Sequence, residues 1–250
     1  MAYPYRWLAE YYDILFESFR GPLRAARRDV LAAILPQVKS ACDLACGTGT
    51  TALELARRGI RMYGVDLSEQ MCRLARAKAR RAGVGLRVIR ADMRSFRLPQ
   101  PVDLVTCEYD AINHVPKRSD LRRVAQCVAA ALAPGGWFFF DVNNALGFRQ
   151  YWSGNVWFEK PGVAVVMRNG HSPQGERAWS DVEWFIRSGR SWRRLHERVE
   201  EISWRPAEIR SALRHAGFGP IRARDATPYF ARNPSIGPGC RTIWLARKSR

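Results

Sequence analysis

A strand that runs directly into a glycine-rich turn, followed at once by a helix, constrains the fold of this chain more than any other feature. The segment spans residues 43–50 and reads DLACGTGT. Glycine permits backbone angles that other residues avoid, and it lets a ligand approach the chain closely. The N-terminus of the following helix presents unpaired N–H groups to such a ligand. We therefore expect a binding site at this turn.

Strand and helix signals alternate on both sides of the turn. The predicted strands of this region are 39–45, 61–66, 86–90, 102–108 and 137–142. The predicted helices are 5–19, 22–35, 50–58, 68–81 and 117–132. Alternation with short connections is typical of an α/β fold, in which helices cover both faces of a parallel sheet.

The pattern changes after the fifth strand. Residues 155–204 show no helical period, and several of their stretches alternate polar with apolar residues between Pro-Gly, Asn-Gly and Ser-Gly turn signals. We expect an antiparallel meander inserted into the α/β domain. A helix over 206–216 follows, and then strands near 220–226 and 241–247.

Two classes of enzyme compete for the glycine turn. Gly47, Gly49 and Ala52 match the dinucleotide pattern G-x-G-x-x-A. With Asp66 as a ribose-binding acid, that pattern is typical of nicotinamide and flavin enzymes. Asp43 lies inside the strand before the turn, where a pyrophosphate has no use for a carboxylate but the ammonium of a methionine moiety does. Asp43 therefore favours a methyltransferase, and the nicotinamide enzyme stays as the alternative.

Two further motifs extend the comparison. Asp92 and Met93 end the third strand, where they could accept from an adenine amino group and pack against its ring. Residues 132–136, LAPGG, lead into the apolar fifth strand. With the glycine turn and Asp66, these residues resemble the class I S-adenosylmethionine-dependent methyltransferases over residues 40–145. The resemblance implies a Rossmann-like seven-stranded sheet in the order 3-2-1-4-5-7-6, with strand 7 antiparallel.

The resemblance also implies a cofactor, S-adenosyl-L-methionine, with S-adenosyl-L-homocysteine as its product. The third glycine of the usual motif is Thr50 in this chain. The residues that the resemblance assigns to cofactor binding are Tyr5, Tyr11, Asp43, Ala45, Gly47, Thr48, Gly49, Asp66, Leu67, Met71, Asp92, Met93, Cys107 and Glu108.

The segment 5–13, YRWLAEYYD, resembles the opening of methyltransferases that act on small molecules, including glycine/sarcosine and amino-sugar N-methyltransferases. In that branch the opening helix folds over the cofactor, and an antiparallel insertion follows strand 5. The implied organisation has three parts. They are N-terminal helices over 1–36, a cofactor-binding domain over 37–147 and 205–250, and an insertion over 148–204 that acts as an acceptor lid.

The fourth predicted strand ends in CEYDAINH, residues 107–114. In open α/β sheets the ligand lies beyond the carboxyl ends of the strands, so this segment should face the transferred methyl group. The catalytic candidates are His114, Tyr12 and Asp110. His114 is the best base because imidazole titrates near neutrality. A capping or packing role for His114, and a core role for the tyrosines, remain alternatives.

The insertion is rich in aromatic residues, which either line an acceptor pocket or form the core of the meander. They are Tyr151, Trp152, Trp157, Trp179, Trp184 and Trp192. His196 and His215 lie on a predicted strand and helix, and we interpret both as structural.

The predicted function is methyl transfer to a nitrogen or oxygen of a small-molecule acceptor. The formal net charge of +18, from 41 Lys and Arg against 23 Asp and Glu, keeps an RNA or protein methyltransferase as the alternative. A non-catalytic S-adenosylmethionine-binding protein is a third hypothesis. No apolar run reaches the ~20 residues that a membrane span needs, so no membrane partner is expected. The oligomeric state, a homodimer included, stays open.

The cysteine pattern bears on metals and compartment. The six cysteines form no CxxC pair, and Cys42 and Cys46 have no histidine nearby. We therefore expect no metal site and a reduced, cytoplasmic protein.

Overall fold

The computed structural model describes residue 9, residues 11–230 and residues 237–249. Tyr5, which the resemblance assigns to the cofactor site, lies outside the described residues. Within them, no helix has both the length and the apolar character needed to cross a membrane.

A seven-stranded sheet organises the fold. Its strands are β1 (Ser40–Leu44), β2 (Arg61–Asp66), β3 (Leu86–Arg90), β4 (Val102–Cys107), β5 (Leu132–Asn143), β10 (Phe218–Asp225) and β11 (Arg241–Lys248). The order across the sheet is β3-β2-β1-β4-β5-β11-β10. The first five strands are parallel, and β11 is antiparallel to both β5 and β10. The predicted order 3-2-1-4-5-7-6, with an antiparallel seventh strand, is confirmed.

Helices cover both faces of this sheet. They are α1 (Tyr12–Leu15), α2 (Glu17–Val30), α3 (Thr50–Ala56), α4 (Glu69–Ala82), α5 (Arg118–Ala131), α6 (Ala145–Tyr151), α7 (Pro206–His215) and α8 (Thr227–Phe230), with 3-10 turns at Leu35–Gln37 and Ala111–His114. Phe138 and Phe140 belong to the core beneath α5 and α7, whereas Phe139 belongs to the core beneath α2 and α3. Side chains alternate across a strand, so a strand covered on both faces is apolar throughout.

A second sheet of four antiparallel strands follows α6. Its strands, in both chain and spatial order, are β6 (Gly154–Lys160), β7 (Val163–His171), β8 (Arg177–Ser188) and β9 (Ser191–Ile202). The predicted antiparallel insertion after strand 5 is confirmed. Val165, Val182 and Trp184 form part of its small core, and Tyr11 packs there with its ring centroid 6.4 Å from that of Trp184. The N-terminal segment therefore contacts the insertion as well as the main sheet.

Several predicted boundaries differ from the structure. The described part of the first predicted helix is split, since α1 has four residues and α2 then runs through Pro22 without a break. Burial of Leu23 and Ala26 against the sheet accounts for this continuity. Strand β5 begins at Leu132 rather than residue 137, because Leu132 already pairs with Val102 of β4. The chain also forms α6, capped by the Asn144 side chain, between the fifth strand and the insertion, where no helix is predicted.

Candidate functional site

A cavity of about 910 Å³ lies at the carboxyl ends of the parallel strands, between the main sheet and strands β8 and β9 of the insertion. Its size is at the upper end of the range for small-molecule sites. Twelve of the predicted site residues line it. They are Tyr12, Asp43, Ala45, Gly47, Thr48, Asp66, Leu67, Met71, Asp92, Met93, Glu108 and His114.

The glycine turn leaves space on the cavity side and is tightly packed behind. Gly47 has a φ of +53°, and a Cβ built on it would meet nothing within 4 Å. Gly49 has a φ of +82°, and its Cβ would lie 3.0 Å from the Cβ of Ala75 in α4. Both positions therefore favour glycine, but for different reasons. Gly47 leaves room for a ligand, and Gly49 lets α4 approach the turn.

Asp66, at the end of β2, is held in place by the turn. One carboxylate oxygen accepts the Gly47 amide at 2.8 Å, and the other accepts the Ser68 amide at 2.8 Å. Burial raises the pKa of this carboxyl above its usual range, while these amides act in the opposite direction. Each carboxylate oxygen has a second lone pair, so a pair of ribose hydroxyls could still donate to Asp66.

Asp43 is buried at the end of β1, beside a second acid. Thr106 donates its hydroxyl to the Asp43 carboxylate at 2.7 Å. Burial, and then the nearby charge of Glu108, raise the pKa of Asp43 to about 7. A cationic ligand group beside Asp43 would favour the carboxylate form, so this position fits an ammonium.

Asp92, at the other end of the row of acids, is already paired in the structure. Arg94 donates to both of its carboxylate oxygens, at 2.9 and 2.6 Å for the closest contacts. Arg94 thereby lowers the pKa of Asp92 below its usual value. Asp92 still lines the cavity with Met93, and its predicted contact with an adenine amino group stays a prediction.

The N-terminal segment is attached to the glycine turn by Asp13. Its carboxylate accepts the Thr48 hydroxyl at 2.6 Å and forms ion pairs with Lys78 of α4 and with Arg20 of α2. Arg20 also lines the cavity. Asp13 is the last residue of the motif over 5–13, yet the sequence assigns no role to it, because nothing local indicates that it meets the turn 35 residues away.

Tyr12 faces the cavity from α1, next to the acids of the sheet edge. Burial raises the pKa of its phenol above the usual range, and the negative charges of Asp110 and Asp66 act in the same direction. The phenol therefore stays neutral and keeps its hydroxyl proton.

Three described residues among the predicted cofactor contacts do not line the cavity. Tyr11 packs against Trp184 in the core of the insertion, Cys107 is fully buried, and Gly49 faces α4. Among the catalytic candidates, Asp110 also lies outside the lining and is ion-paired with Arg241.

His114 lies on the 3-10 turn after β4 and lines the cavity beside β9 of the insertion. Its Nδ1 lies 3.1 Å from the backbone oxygen of Glu200 in β9. A carbonyl oxygen can only accept, so Nδ1 carries the proton and Nε2 is the basic nitrogen of the neutral ring. Burial lowers the pKa of His114, while the charge of Asp110 acts in the opposite direction.

The insertion contributes residues to the cavity. The sequence alone did not distinguish these residues from those of the insertion core. Trp179 lines the cavity, Trp184 is buried in the insertion core, and Trp157 and Trp192 are exposed. His196, interpreted as structural from the sequence, also lines the cavity. Alternation along β8 and β9 separates two faces of the insertion sheet. It cannot show which face meets the main sheet, and the structure shows that the face with Trp179 and His196 lines the cavity.

The fold and the cavity together define a class. The sheet has helices on both faces, a glycine turn after β1 and acids at the ends of three adjacent strands. This arrangement is typical of proteins that bind a nucleoside cofactor at the carboxyl edge of the sheet. Residues 41–136 match the family model described as a methyltransferase domain. This part of the chain is therefore a methyltransferase domain, as the resemblance predicts.

One relative and several solved structures are similar over most of the chain. The putative methyltransferase YqeM of Bacillus subtilis is 24% identical over 222 residues, 88% of each chain. Several other curated methyltransferases match over about half of their own length. An S-adenosylmethionine-dependent methyltransferase from Clostridium acetobutylicum has the same fold, with a TM-score of 0.81 and 23% identity over 98% of this chain and 99% of that one. The sugar N-methyltransferase KedS8 from Streptoalloteichus has a TM-score of 0.75 and 22% identity over 96% and 93%.

Proposed function

We propose that this methyltransferase transfers its methyl group to a nitrogen or oxygen of a small-molecule acceptor. One observation carries the proposal. The acids of the glycine-turn edge and the polar and aromatic side chains of β8 and β9 line one continuous cavity. An acceptor bound against the insertion would therefore lie next to the donor bound against the sheet.

The cofactor half fits S-adenosylmethionine, which supplies an electrophilic methyl group on a sulfonium. Asp66 would accept the ribose hydroxyls, Asp92 and Met93 would hold the adenine, and Asp43 would face the methionine ammonium. The open space beside Gly47 lets the ligand approach the turn. Residues of the N-terminal helices cover this half, since Asp13 attaches them to Thr48.

The acceptor half has to align a nucleophile with the methyl group, which supplies most of the rate in a displacement of this kind. His114 would take a proton from the acceptor at Nε2 where the nucleophile is protonated at working pH. Tyr12 would donate a hydrogen bond across the boundary between the two halves. The insertion over 148–204 would act as the acceptor lid, because β8 and β9 form one wall of the cavity.

KedS8 is a sugar N-methyltransferase, which supports a small-molecule acceptor by analogy of fold. The six cysteines are all free thiols, which supports the proposed cytoplasmic location. The net charge of +18 supports the alternative of an RNA acceptor.

A labelled-methyl experiment tests the proposal. The protein is incubated with methyl-labelled S-adenosylmethionine and a cell extract separated into RNA, protein and small-molecule fractions. We expect label in the small-molecule fraction. Label confined to RNA or to protein would overturn the small-molecule assignment, and no transfer to any fraction, with cofactor binding intact, would favour the non-catalytic alternative.

A further inference from the structure

Two buried carboxyls and a third that is partly exposed surround one guanidinium where the acceptor half of the cavity meets the main sheet. Asp110 follows β4, Asp141 lies in β5, and Glu201 lies in β9 of the insertion. Arg241 of β11 forms ion pairs with Asp141 and with Asp110, the latter at 3.3 Å. Asp141, Glu201 and Arg241 are 0%, 3% and 5% exposed, whereas the side chain of Asp110 is 17% exposed.

Asp141 is the best compensated of the three acids. Besides Arg241, its two oxygens accept the backbone amides of Tyr109 and Asp110, at 2.8 and 3.1 Å. Tyr109 and Asp110 have φ values of +60° and +52°, a backbone conformation that residues other than glycine rarely adopt. Asp141 therefore holds the strained turn after β4. Burial raises its pKa to about 6, while the charge of Arg241 acts in the opposite direction, so Asp141 is mostly ionised near neutral pH.

Within the described part of the chain, Asp110 and Glu201 have only Arg241, which already pairs with Asp141, to balance their negative charges. These two side chains hydrogen-bond to each other. The side-chain amide of Asn143 contacts both, since its Nδ2 is 2.5 Å from one Asp110 oxygen and 3.4 Å from one Glu201 oxygen. If all three acids were ionised, the cluster would have three negative charges and one positive charge. A buried net charge of that size is costly, and one retained proton relieves it.

Glu201 is the acid that faces His114. Its Oε1 lies 3.9 Å from Nε2 of the imidazole, the nitrogen that the Glu200 carbonyl leaves unprotonated. Burial, and then the charge of Asp110, raise the pKa of Glu201 well above its usual value, while Arg241 acts in the opposite direction. The neighbouring Glu200 is exposed and pairs with Arg198 at 2.9 Å.

We propose that Glu201 and Asp110 share one proton and that Glu201 acts on the acceptor through His114. As the acceptor atom forms its bond to the methyl carbon, the carbon–sulfur bond breaks with its electron pair going to sulfur. The acceptor's proton moves to Nε2 of His114. The shared proton then moves from Glu201 to Asp110, and the Glu201 carboxylate faces the new imidazolium. Glu201 is a positioning residue in this scheme, which rests on the proposed function.

The scheme gives the insertion a second role. Strand β9 supplies a group that responds to the charge on His114, in addition to a wall of the cavity. It also indicates the kind of acceptor, one whose nucleophilic atom has a lone pair and carries a proton that it must lose, such as a hydroxyl or a neutral amine.

Histidine titration by NMR tests this without any acceptor. The full chain is labelled at its histidines, and the signal of His114 is identified by its loss in His114→Gln. In the wild type we expect His114 to titrate about one pH unit higher than in Glu201→Gln, a tenfold difference in its proton affinity, because the amide cannot become a counter-ion. Glu201→Asp, which keeps the acid, should restore most of the difference.

Glu183→Gln is the matched control. Glu183 is a buried acid of the same insertion, paired with Arg194 at 2.8 Å, and it lies outside the cavity lining. Its substitution should leave the His114 titration unchanged. An unchanged His114 titration in Glu201→Gln, or an equal shift in Glu183→Gln, would overturn the proposal. The proposed methyl transfer could fail in the labelling experiment while this titration is as expected, so the two failures are distinguishable.

Discussion

Arg27 and Glu108 form a buried ion pair that joins helix α2 to the end of strand β4, 81 residues further along the chain. One guanidinium nitrogen of Arg27 lies 2.7 and 2.6 Å from the two carboxylate oxygens of Glu108. Thr51 donates its hydroxyl to the same carboxylate at 3.1 Å. Because Glu108 in turn raises the pKa of Asp43, this pair connects the N-terminal helices with the electrostatics of the cofactor half.

The first prediction concerns the stability of that pair. Arg27→Met removes the cation and leaves a buried carboxylate without its main partner, so we expect the free energy of unfolding to fall by about 3–5 kcal/mol in urea titrations. The double variant Arg27→Met/Glu108→Gln should recover part of the loss. Arg24→Met is the control, since Arg24 pairs with Glu54 at an exposed position and should cost at most ~1 kcal/mol. A loss of that small size in Arg27→Met would contradict the prediction.

The second prediction concerns Asp66 and the cofactor. Asp66→Asn keeps the size of the side chain but loses the charge and one acceptor oxygen. We expect the affinity for S-adenosylhomocysteine, measured by calorimetry, to fall about tenfold or more, because hydrogen bonds to charged groups are worth roughly 1.5–3 kcal/mol.

Asp103→Asn is the matched control for this substitution. Asp103 also accepts backbone amides, from Lys39 and Ser40 at 2.9 Å each, but at the amino end of the strands. Its substitution should leave the affinity unchanged. Equal affinity losses in the two variants would show that Asp66 acts only through the fold, and unchanged affinity in Asp66→Asn would refute its assignment to the ribose.

The sequence predicts the parallel sheet well because its signals are local. Each strand and helix of the main sheet has its own periodicity and its own terminal residues, such as Ser68 before α4 and Gly83 after it. The glycine turn is equally local, since its conformation depends on residues that are adjacent in sequence. The strand order came from the family resemblance, and the structure confirms it.

The rest of the site depends on contacts between residues that are distant in sequence. Nothing near Arg27 indicates a partner at residue 108, and nothing near Glu201 indicates a histidine at residue 114. The same limit explains the interpretation of His196, since a strand's alternation gives two faces but not the identity of what covers each face. Burial of charge, which decides the pKa of Asp43, is a property of the packed molecule alone.

The third prediction is a pH dependence of cofactor binding. Asp43 has a pKa of about 7 without a ligand, and its carboxylate form would face the methionine ammonium. The affinity for S-adenosylhomocysteine should therefore rise about tenfold from pH 6 to pH 8, with a proton released on binding at the lower pH. Calorimetry in two buffers of different ionisation enthalpy measures both effects.

Asp43→Asn should remove this dependence, because the amide does not titrate. The same raised pKa has the opposite consequence for stability. The folded state holds its proton up to about pH 7 whereas the unfolded chain loses it near pH 4, so the contribution of Asp43 to stability falls as the pH rises between these values. A pH-independent affinity in the wild type would refute the placement of the ammonium beside Asp43.

The last prediction separates catalysis from structure at His114. His114→Gln keeps a side chain that can hydrogen-bond to the Glu200 carbonyl but has no basic nitrogen. We expect transfer of labelled methyl to the acceptor fraction to slow by about 10²–10⁴-fold, the usual contribution of a general base, while the affinity for S-adenosylhomocysteine stays within about twofold. His215→Gln is the control, because His215 makes a similar contact, with Nδ1 2.9 Å from the Ser211 carbonyl, on the exposed side of α7. Equal losses of transfer and cofactor affinity in His114→Gln would instead assign His114 a structural role, in which its contact with β9 holds the insertion against the sheet.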